Sequence, residues 1–357
     1  MPSLTVSEEY DDNVRLSSTN PESDFLTAIR PRLRLEFIDE PWVVTLAGST
    51  RAEFFARRTE LNNTADNLEG SADIQYRARR FTLSLTDTFV RSVNPGDVDP
   101  QTGLLLERAV STTNTISPGL SFQLDPLTAL RTQYAYRTLS SDSPLARDST
   151  THDASVALQR QLTRTFSGNV SYAFTRFQIE GSPDRDSHSP RLGLNTTYFP
   201  TIRLSSNTGL LFVERPDGTM ELTFASATRY DQTFRLGSLS LAYDRNAGVG
   251  GVLGVSTVTQ SVTLAGTLQA TRDLTLGLNA GITDTSADAV SDPQAPSQEI
   301  DLRVYNVALR VTYRLLRWLS IEGSYRYQRQ EDRVGTRDLE RNIFSLGLTV
   351  SDQFRLY

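Results

Sequence analysis

From Val304 to Leu316 the chain reads "VYNVALRVTYRLL", and it alternates. Tyr305, Val307, Leu309, Val311, Tyr313 and Leu315 form one series, and Asn306, Ala308, Arg310, Thr312 and Arg314 form the other. A period of two marks a β-strand with one apolar and one polar face. The pattern recurs in about eighteen segments, mostly about 9–14 residues long, with hardly a convincing helix between them. Ordinary strands average about 5–6 residues, whereas a tilted strand needs about 9–11 to cross a bilayer.

Other segments repeat the division. Phe25, Ile29, Leu33, Leu35 and Phe37 oppose Arg30, Arg32, Arg34 and Glu36, while Trp42, Val44, Leu46 and Phe54 oppose Thr45, Ser49, Arg51 and Glu53. Leu130, Tyr134 and Tyr136 oppose Arg131, Gln133 and Arg137. Hydrophobic residues make up 38% of the 357 residues, below the usual globular share of about 45–50%. No apolar run is long enough for a transmembrane helix, but alternating barrel strands never produce such a run.

The connections alternate too. Tight ones include "IDEP" (Ile38–Pro41), "DPLT" (Asp125–Thr128), "FPT" (Phe199–Thr201), "DQT" (Asp231–Thr233) and "TRD" (Thr271–Asp273). Long polar ones include "TELNNTADNLEG", "NPGDVDPQTGLLLERAV" and "ADAVSDPQAPSQE". "RPDG" (Arg215–Gly218) is short and breaks the trend. Short turns at one end and long loops at the other are the habit of outer-membrane barrels. No linker divides the chain, so residues 1–357 are expected to form a single closed antiparallel transmembrane β-barrel domain of about eighteen strands.

In lipid every backbone polar group must be paired, which forces the sheet to close. The apolar face then looks outward and the Arg, Asn, Thr and Ser face inward. Trp42, Tyr198 and Trp318 beside short turns suit a membrane–water boundary, where a ring buries its body and keeps its polar tip wet. Pro31, Pro118 and Pro190 share a Pro-x-Leu-x-Leu/Phe pattern and recur every four segments. Proline cannot donate to the ladder, so each is expected at a strand start or bulge.

The N-terminal "LTVSEEYDDNVRL" resembles the opening stretch of outer-membrane β-barrel families found with bacterial exopolysaccharide and exosortase systems, and the Pro-x-Leu strands look similar. The last strand, "FSLGLTVSDQFRLY", resembles the C-terminal recognition strand of barrels inserted by the outer-membrane assembly machinery. It ends in Tyr357 with Phe354 close by, but Asp352 stands where an apolar residue is expected. The resemblance implies a channel in the bacterial outer membrane, most simply for export or passage of a polysaccharide, an anionic one included. It also implies contact with lipid, lipopolysaccharide and that assembly machinery, and with periplasmic polysaccharide-export proteins. A general diffusion porin remains open, as does a scaffold or sheath barrel for a secretion or electron-transfer partner.

All 36 basic residues are arginine. Those expected to line the pore are Arg30, Arg32, Arg34, Arg51, Arg77, Arg131, Arg137, Arg203, Arg310, Arg314 and Arg326. A charged wall selects by sign, so they would favour anions. Equally, they would only solvate the wall by pairing with Glu36, Glu53, Asp73 and Glu322. The third long loop occupies the place where general porins fold a loop inward, and its "GLLLERA" (Gly103–Ala109) is apolar. Asp97, Asp99, Glu107 and Arg108 are its candidate constriction charges; a solvated cap or partner contact fits as well.

Other chemistry is scarce. With no cysteine, disulfides and thiolate chemistry are excluded. His152 and His188 lie beside expected loops, where exposure is the simplest reading. Thr151–Asp153, "THD", is the one candidate for a hydrolytic arrangement. Glu8, Glu9, Asp11 and Asp12 supply oxygen ligands without an EF-hand spacing, so they read as a solvated strand end. No enzyme activity and no cofactor or metal is expected, and a net charge of −6 argues against nucleic-acid binding. The opening "MPSLTVSEEY" lacks a charged and then apolar leader, so a signal peptide has either been removed or never existed.

Overall fold

In the computed structural model the described residues are 1–94, 108–143, 147–181, 183–214, 218–249, 256–287, 300–335 and 338–351. The first strands are β1 (Pro2–Asp11), β2 (Asp24–Asp39), β3 (Trp42–Thr50), β4 (Ala52–Phe55), β5 (Leu68–Arg77) and β6 (Phe81–Ser92). Then come β7 (Ser111–Asp125), β8 (Thr128–Ser141), β9 (Ser149–Gln161), β10 (Phe166–Ile179), β11 (Arg185–Phe199) and β12 (Ile202–Glu214). The last are β13 (Met220–Phe234), β14 (Gly237–Val249), β15 (Ser256–Gln269), β16 (Leu274–Ala287), β17 (Ile300–Arg314), β18 (Leu319–Asp332) and β19 (Leu339–Ser351). A short 3₁₀ turn, Thr59–Leu61, lies between β4 and β5.

With β3 and β4 taken together, each strand pairs antiparallel with its neighbours in sequence, and β1 pairs with both β2 and β19, so the sheet closes. β3 and β4 are one barrel strand, because both keep the same register on β2 (Arg32 opposite Ser49, Ile29 opposite Ala52). The barrel therefore has eighteen strands among the described residues. Turns at 40–41, 78–80, 126–127, 162–165, 200–201, 235–236, 270–273 and 315–318 all fall at one end. "DQT" is not among them: Asp231 to Thr233 lies within β13, where Asp231 pairs with Arg229 at 2.8 Å. Tyr357, Phe354 and Asp352 lie outside the described residues, as do Arg215 to Asp217 of "RPDG".

The three prolines sit inside strands, not at their starts. Each pairs in register with the preceding strand, Pro31 with Leu4, Pro118 with Leu85 and Pro190 with Tyr172. Toward the following strand the ladder lapses beside each, and at Pro31 that lapse separates β3 from β4. The missing N–H is the cause, since it would have pointed to that neighbour. Beside Pro190 the strands close up: a Cβ on Gly209 would lie 2.0 Å from the Pro190 carbonyl oxygen.

Contacts that skip strands identify the concave face. Arg191 on β11 donates to Asn246 on β14 at 3.0 Å, reaching over β12 and β13. Arg51 reaches Glu9 at 2.8 Å over β2. Such spans are possible only where side chains converge. Leucines occupy the opposite, convex face, where Leu192 is 67% exposed and Leu309 46%.

The two faces exchange character along the strands. On β16 the outward Leu274, Leu276, Leu278, Ala280 and Ile282 are apolar, and the next outward residue is Asp284. Leu274 to Ile282 covers about 27 Å of strand at about 3.4 Å per residue. A tilt of about 40° leaves about 21 Å, near the apolar band of about 25 Å on membrane barrels. Above the band the outer face carries paired charges, Arg303 with Asp284, Arg329 with Glu331 and Arg176 with Asp186. Inside, at that same end, Leu26, Phe55, Leu139, Phe177, Leu211, Val213, Leu302 and Leu339 are buried. The expected wall, polar from end to end, is thus confined to the half near the short turns. Where the outer face is charged, the sheet buries its apolar side chains inward, as a one-sided soluble sheet does.

Candidate functional site: the barrel lumen

By register and parity all eleven singled-out arginines project from the concave face. They differ in what they touch. Arg51 is held by Glu9 (2.8 Å) and Glu53 (2.9 Å), Arg310 by Glu322 (3.3 Å) and Arg314 by Asp273 (3.2 Å). Arg30 forms an ion pair with Glu69, and Arg77 donates to Gln75 at 2.9 Å. Arg203 stands opposite Asp231 in the ladder, and Arg137 opposite Thr151. Among the described residues, Arg32, Arg34, Arg131 and Arg326 have no carboxylate at ion-pair distance. The wall is therefore partly self-neutralised, and Arg77, whose partner is a neutral amide, and Arg203 add to the cations left over. Glu53 and Glu322 take part in that neutralisation, whereas Asp73 accepts a hydrogen bond from Thr86 at 2.9 Å.

The long-loop end is fastened from several sides. Val14, between β1 and β2, packs on the inward Leu26, Ala28 and Phe55, with Leu61 against them. Buried Asn13 donates to the carbonyls of Ser17 (2.9 Å) and Glu340 (3.1 Å) and accepts from the Ser17 N–H (2.9 Å). Of the constriction candidates, Asp97, Asp99 and Glu107 lie outside the described residues. Arg108 is described: it donates to Glu53 at 2.6 Å, and its guanidinium lies 5.0 Å from the centre of the Phe55 ring. The inward contacts of residues 13–16 had no sequence signal beyond Val14 and Leu16 within a polar stretch.

The acidic cluster is not a set of free oxygen ligands, and of its four members only Glu8 is exposed. Asp11 binds Arg341, Asp12 accepts from the Asn342 backbone and amide at 2.7 Å each, and Glu8 accepts from Thr27 at 2.7 Å. With Glu9 on Arg51, every one of the four carboxylates has a protein partner. The motif that carried the resemblance is thus the seam of the barrel. Register is the reason: β1 lies between β2 and β19, so both faces of its long-loop end meet donors.

Both histidines lie beside the long loops, three residues into β9 and β11. Both stand on strands and on the convex face, His152 accepting or donating with the Tyr134 hydroxyl at 2.8 Å and His188 with Tyr172 at 2.7 Å. Asp153, next to His152, faces inward and accepts from Thr175 at 2.5 Å. Strand alternation sends His152 and Asp153 to opposite faces, so "THD" holds no catalytic pair. No group of three or more candidate metal ligands occurs among the described residues.

A hollow of about 430 Å³ lies in the polar half of the wall between β8 and β13. Arg131, Gln159, Asn169, Asn195, Ser205 and Asn207 line it. Its amides belong to the inward series expected from the sequence, but were not among the singled-out pore-lining residues. Period two would have located them, since all lie in the inward series of their strands.

No family model and no curated protein matches the sequence. Among solved structures, OccK2 (OpdF) of Pseudomonas aeruginosa in complex with glucuronate is similar at 10% identity and a TM-score of 0.50. That match covers 98% of this chain and 97% of the other. OccK11 (OpdR) of the same organism matches at 14% identity and a TM-score of 0.48, covering 98% and 95%. At such identities the likeness is one of fold: the chain folds as a closed antiparallel barrel of the outer-membrane kind.

Proposed function

We propose that this chain is an outer-membrane channel, and that its cargo is a polysaccharide passed through the polar half of the lumen. The observation that carries the reading is the pairing of an apolar convex band with a concave wall of arginines, amides and hydroxyls. A band of exposed leucine has no stable place in water, and a lumen of hydroxyls and amides has no use as a packed core. In this reading the short turns and both termini lie on the periplasmic side, where polysaccharide-export proteins would deliver the chain. The polysaccharide follows from the resemblance of the N-terminal motif and from the hydroxyl- and amide-rich wall.

Conductance in a planar bilayer tests it. The folded protein is expected to give discrete ohmic steps, and an acidic polysaccharide added to one side is expected to interrupt them more often than dextran does. Steps without polymer-dependent interruption leave a general diffusion porin. Insertion of folded barrels without any conductance overturns the channel reading and favours the scaffold barrel.

A further inference from the structure

We propose that the hollow between β8 and β13 is a subsite for a single acidic sugar, with Arg131 taking the carboxylate and the amides of Gln159, Asn169 and Asn207 taking the hydroxyls. The proposal rests on the channel reading for its purpose, though not for its chemistry.

The first support is how the hollow is built. Gln159 stands directly opposite Asn169, Asn169 opposite Gly193, and Gly193 opposite Asn207, so three amides lie along one row across the wall. Gly193 supplies no side chain, and the Asn169 amide fills its place, since a Cβ there would lie 2.2 Å from Asn169 Nδ2. Beyond Asn207 the row continues to Ala227, and Arg131 has Ala157 opposite it in the next row. Small residues thus make the depression, and long polar ones rim it.

Unused bonding capacity is the second support. The carboxamide oxygens assigned as Oδ1 of Asn169 and of Asn207 are buried without a hydrogen-bond partner. The Asn207 amide nitrogen has only a long contact, 3.4 Å, to Ser171, and Gln159 donates to Ser167 at 3.3 Å. Buried polar groups are normally satisfied, so orphans grouped beside a hollow point to a guest. Arg131 is exposed to the lumen and has no carboxylate partner among the described residues, unlike Arg30, Arg51, Arg310 and Arg314.

Chemistry then selects the guest. A carboxamide both donates and accepts, which matches a hydroxyl, itself a donor and an acceptor. A guanidinium forms two parallel bonds to a carboxylate. One cation among several amides fits a monoanion with many hydroxyls, a uronic acid, better than a phosphate of higher charge. No aromatic ring lines the hollow to stack on the sugar. Binding by hydrogen bonds alone stays weak, as transit requires, because a site must release what it admits.

Saturation-transfer NMR on the folded, detergent-solubilised chain tests this without requiring conduction. Galacturonate is expected to bind with a millimolar Kd, galactose about tenfold more weakly, and acetate not to compete at equal concentration. Arg131→Gln is expected to reduce galacturonate binding to the level of galactose. Arg131→Lys should keep part of the difference, and Asn207→Ala should weaken both sugars. Arg79→Gln, in the short turn between β5 and β6, should change nothing. Heat-modifiable gel mobility establishes that each variant is folded, and the Arg131 pair serves alone if Asn207→Ala does not fold. Competition by acetate or inorganic phosphate as strong as by galacturonate overturns the proposal, as does an Arg131→Gln variant that binds like the parent. A barrel that binds but does not conduct sinks the channel reading alone; one that conducts but does not bind sinks the subsite alone.

Discussion

Asp11 and Arg341, 330 residues apart in sequence, form the buried ion pair that joins the first strand of the barrel to the last. Arg341 Nε lies 2.9 Å from Asp11 Oδ2, and the two side chains are 10% and 1% exposed. One step along, Asp12 and Asn342 add three more bonds across the same seam, two to the Asp12 carboxylate and one between backbones.

Breaking this pair from one side leaves a buried charge alone, at a cost of about 3–5 kcal/mol. Asp11→Asn and Arg341→Gln are each expected to lower the unfolding midpoint in urea markedly. The double variant should lose less than the sum, since the two residues are coupled. Additive losses would show that they do not act as a pair.

Val311 and Thr312 test the faces. Val311 is 45% exposed on the convex side, whereas Thr312 lies inward opposite Thr275 and Glu322. Val311→Arg should cost about 2–4 kcal/mol if it sits near the bilayer midplane. Thr312→Arg should be tolerated, with Glu322 opposite it as a counter-charge. Equal losses of folded, heat-modifiable protein would reverse the assignment of faces.

Selectivity should depend on the unpaired arginines. Arg30 is neutralised by Glu69, while Arg32 and Arg34 stand two residues apart, about 6.8 Å along the strand, within the screening length of about 8 Å at 0.15 M salt. The barrel is expected to prefer anions mildly. Arg32→Gln with Arg34→Gln should shift the reversal potential in a salt gradient toward cations, and Arg30→Gln should shift it less. A cation-selective parent unmoved by the pair would mean that these arginines only solvate the wall.

Acid should loosen the long-loop end at Asp24. Burial opposes ionisation of its carboxyl, but the backbone N–H groups of Arg58 (2.8 Å), Arg57 (3.0 Å) and Phe25 (2.8 Å) outweigh it and hold the pKa below its ordinary value. A depressed folded pKa contributes stability that is complete above the unfolded value of about 3.9 and is lost as pH falls through the folded value. Amide exchange at Arg57 and Arg58, corrected for intrinsic rates, should show constant protection down to about pH 4 and falling protection below it. Asp24→Asn should reduce that protection at neutral pH; unchanged protection would remove Asp24 as the anchor.

The sequence by itself determined the strands, their two faces and the closed sheet, because period two is local and a strand of lipid-spanning length admits no unpaired edge in a membrane. Leu309 against Arg310 is legible from neighbours alone. Tertiary structure decided what lies across strands. Whether an arginine is neutralised depends on register, which brings Glu69 to Arg30 and leaves Arg131 without a carboxylate. The acidic motif read as a solvated end until β19 was laid beside it. Prolines expected at strand starts or bulges proved to sit mid-strand without a shift of register, since only one of the two ladders at each position needs its N–H. The inversion of faces above the apolar band was hidden for the same reason: Leu211 and Leu210 look alike in sequence, and only curvature makes one a buried interior residue and the other an exposed residue of the convex face.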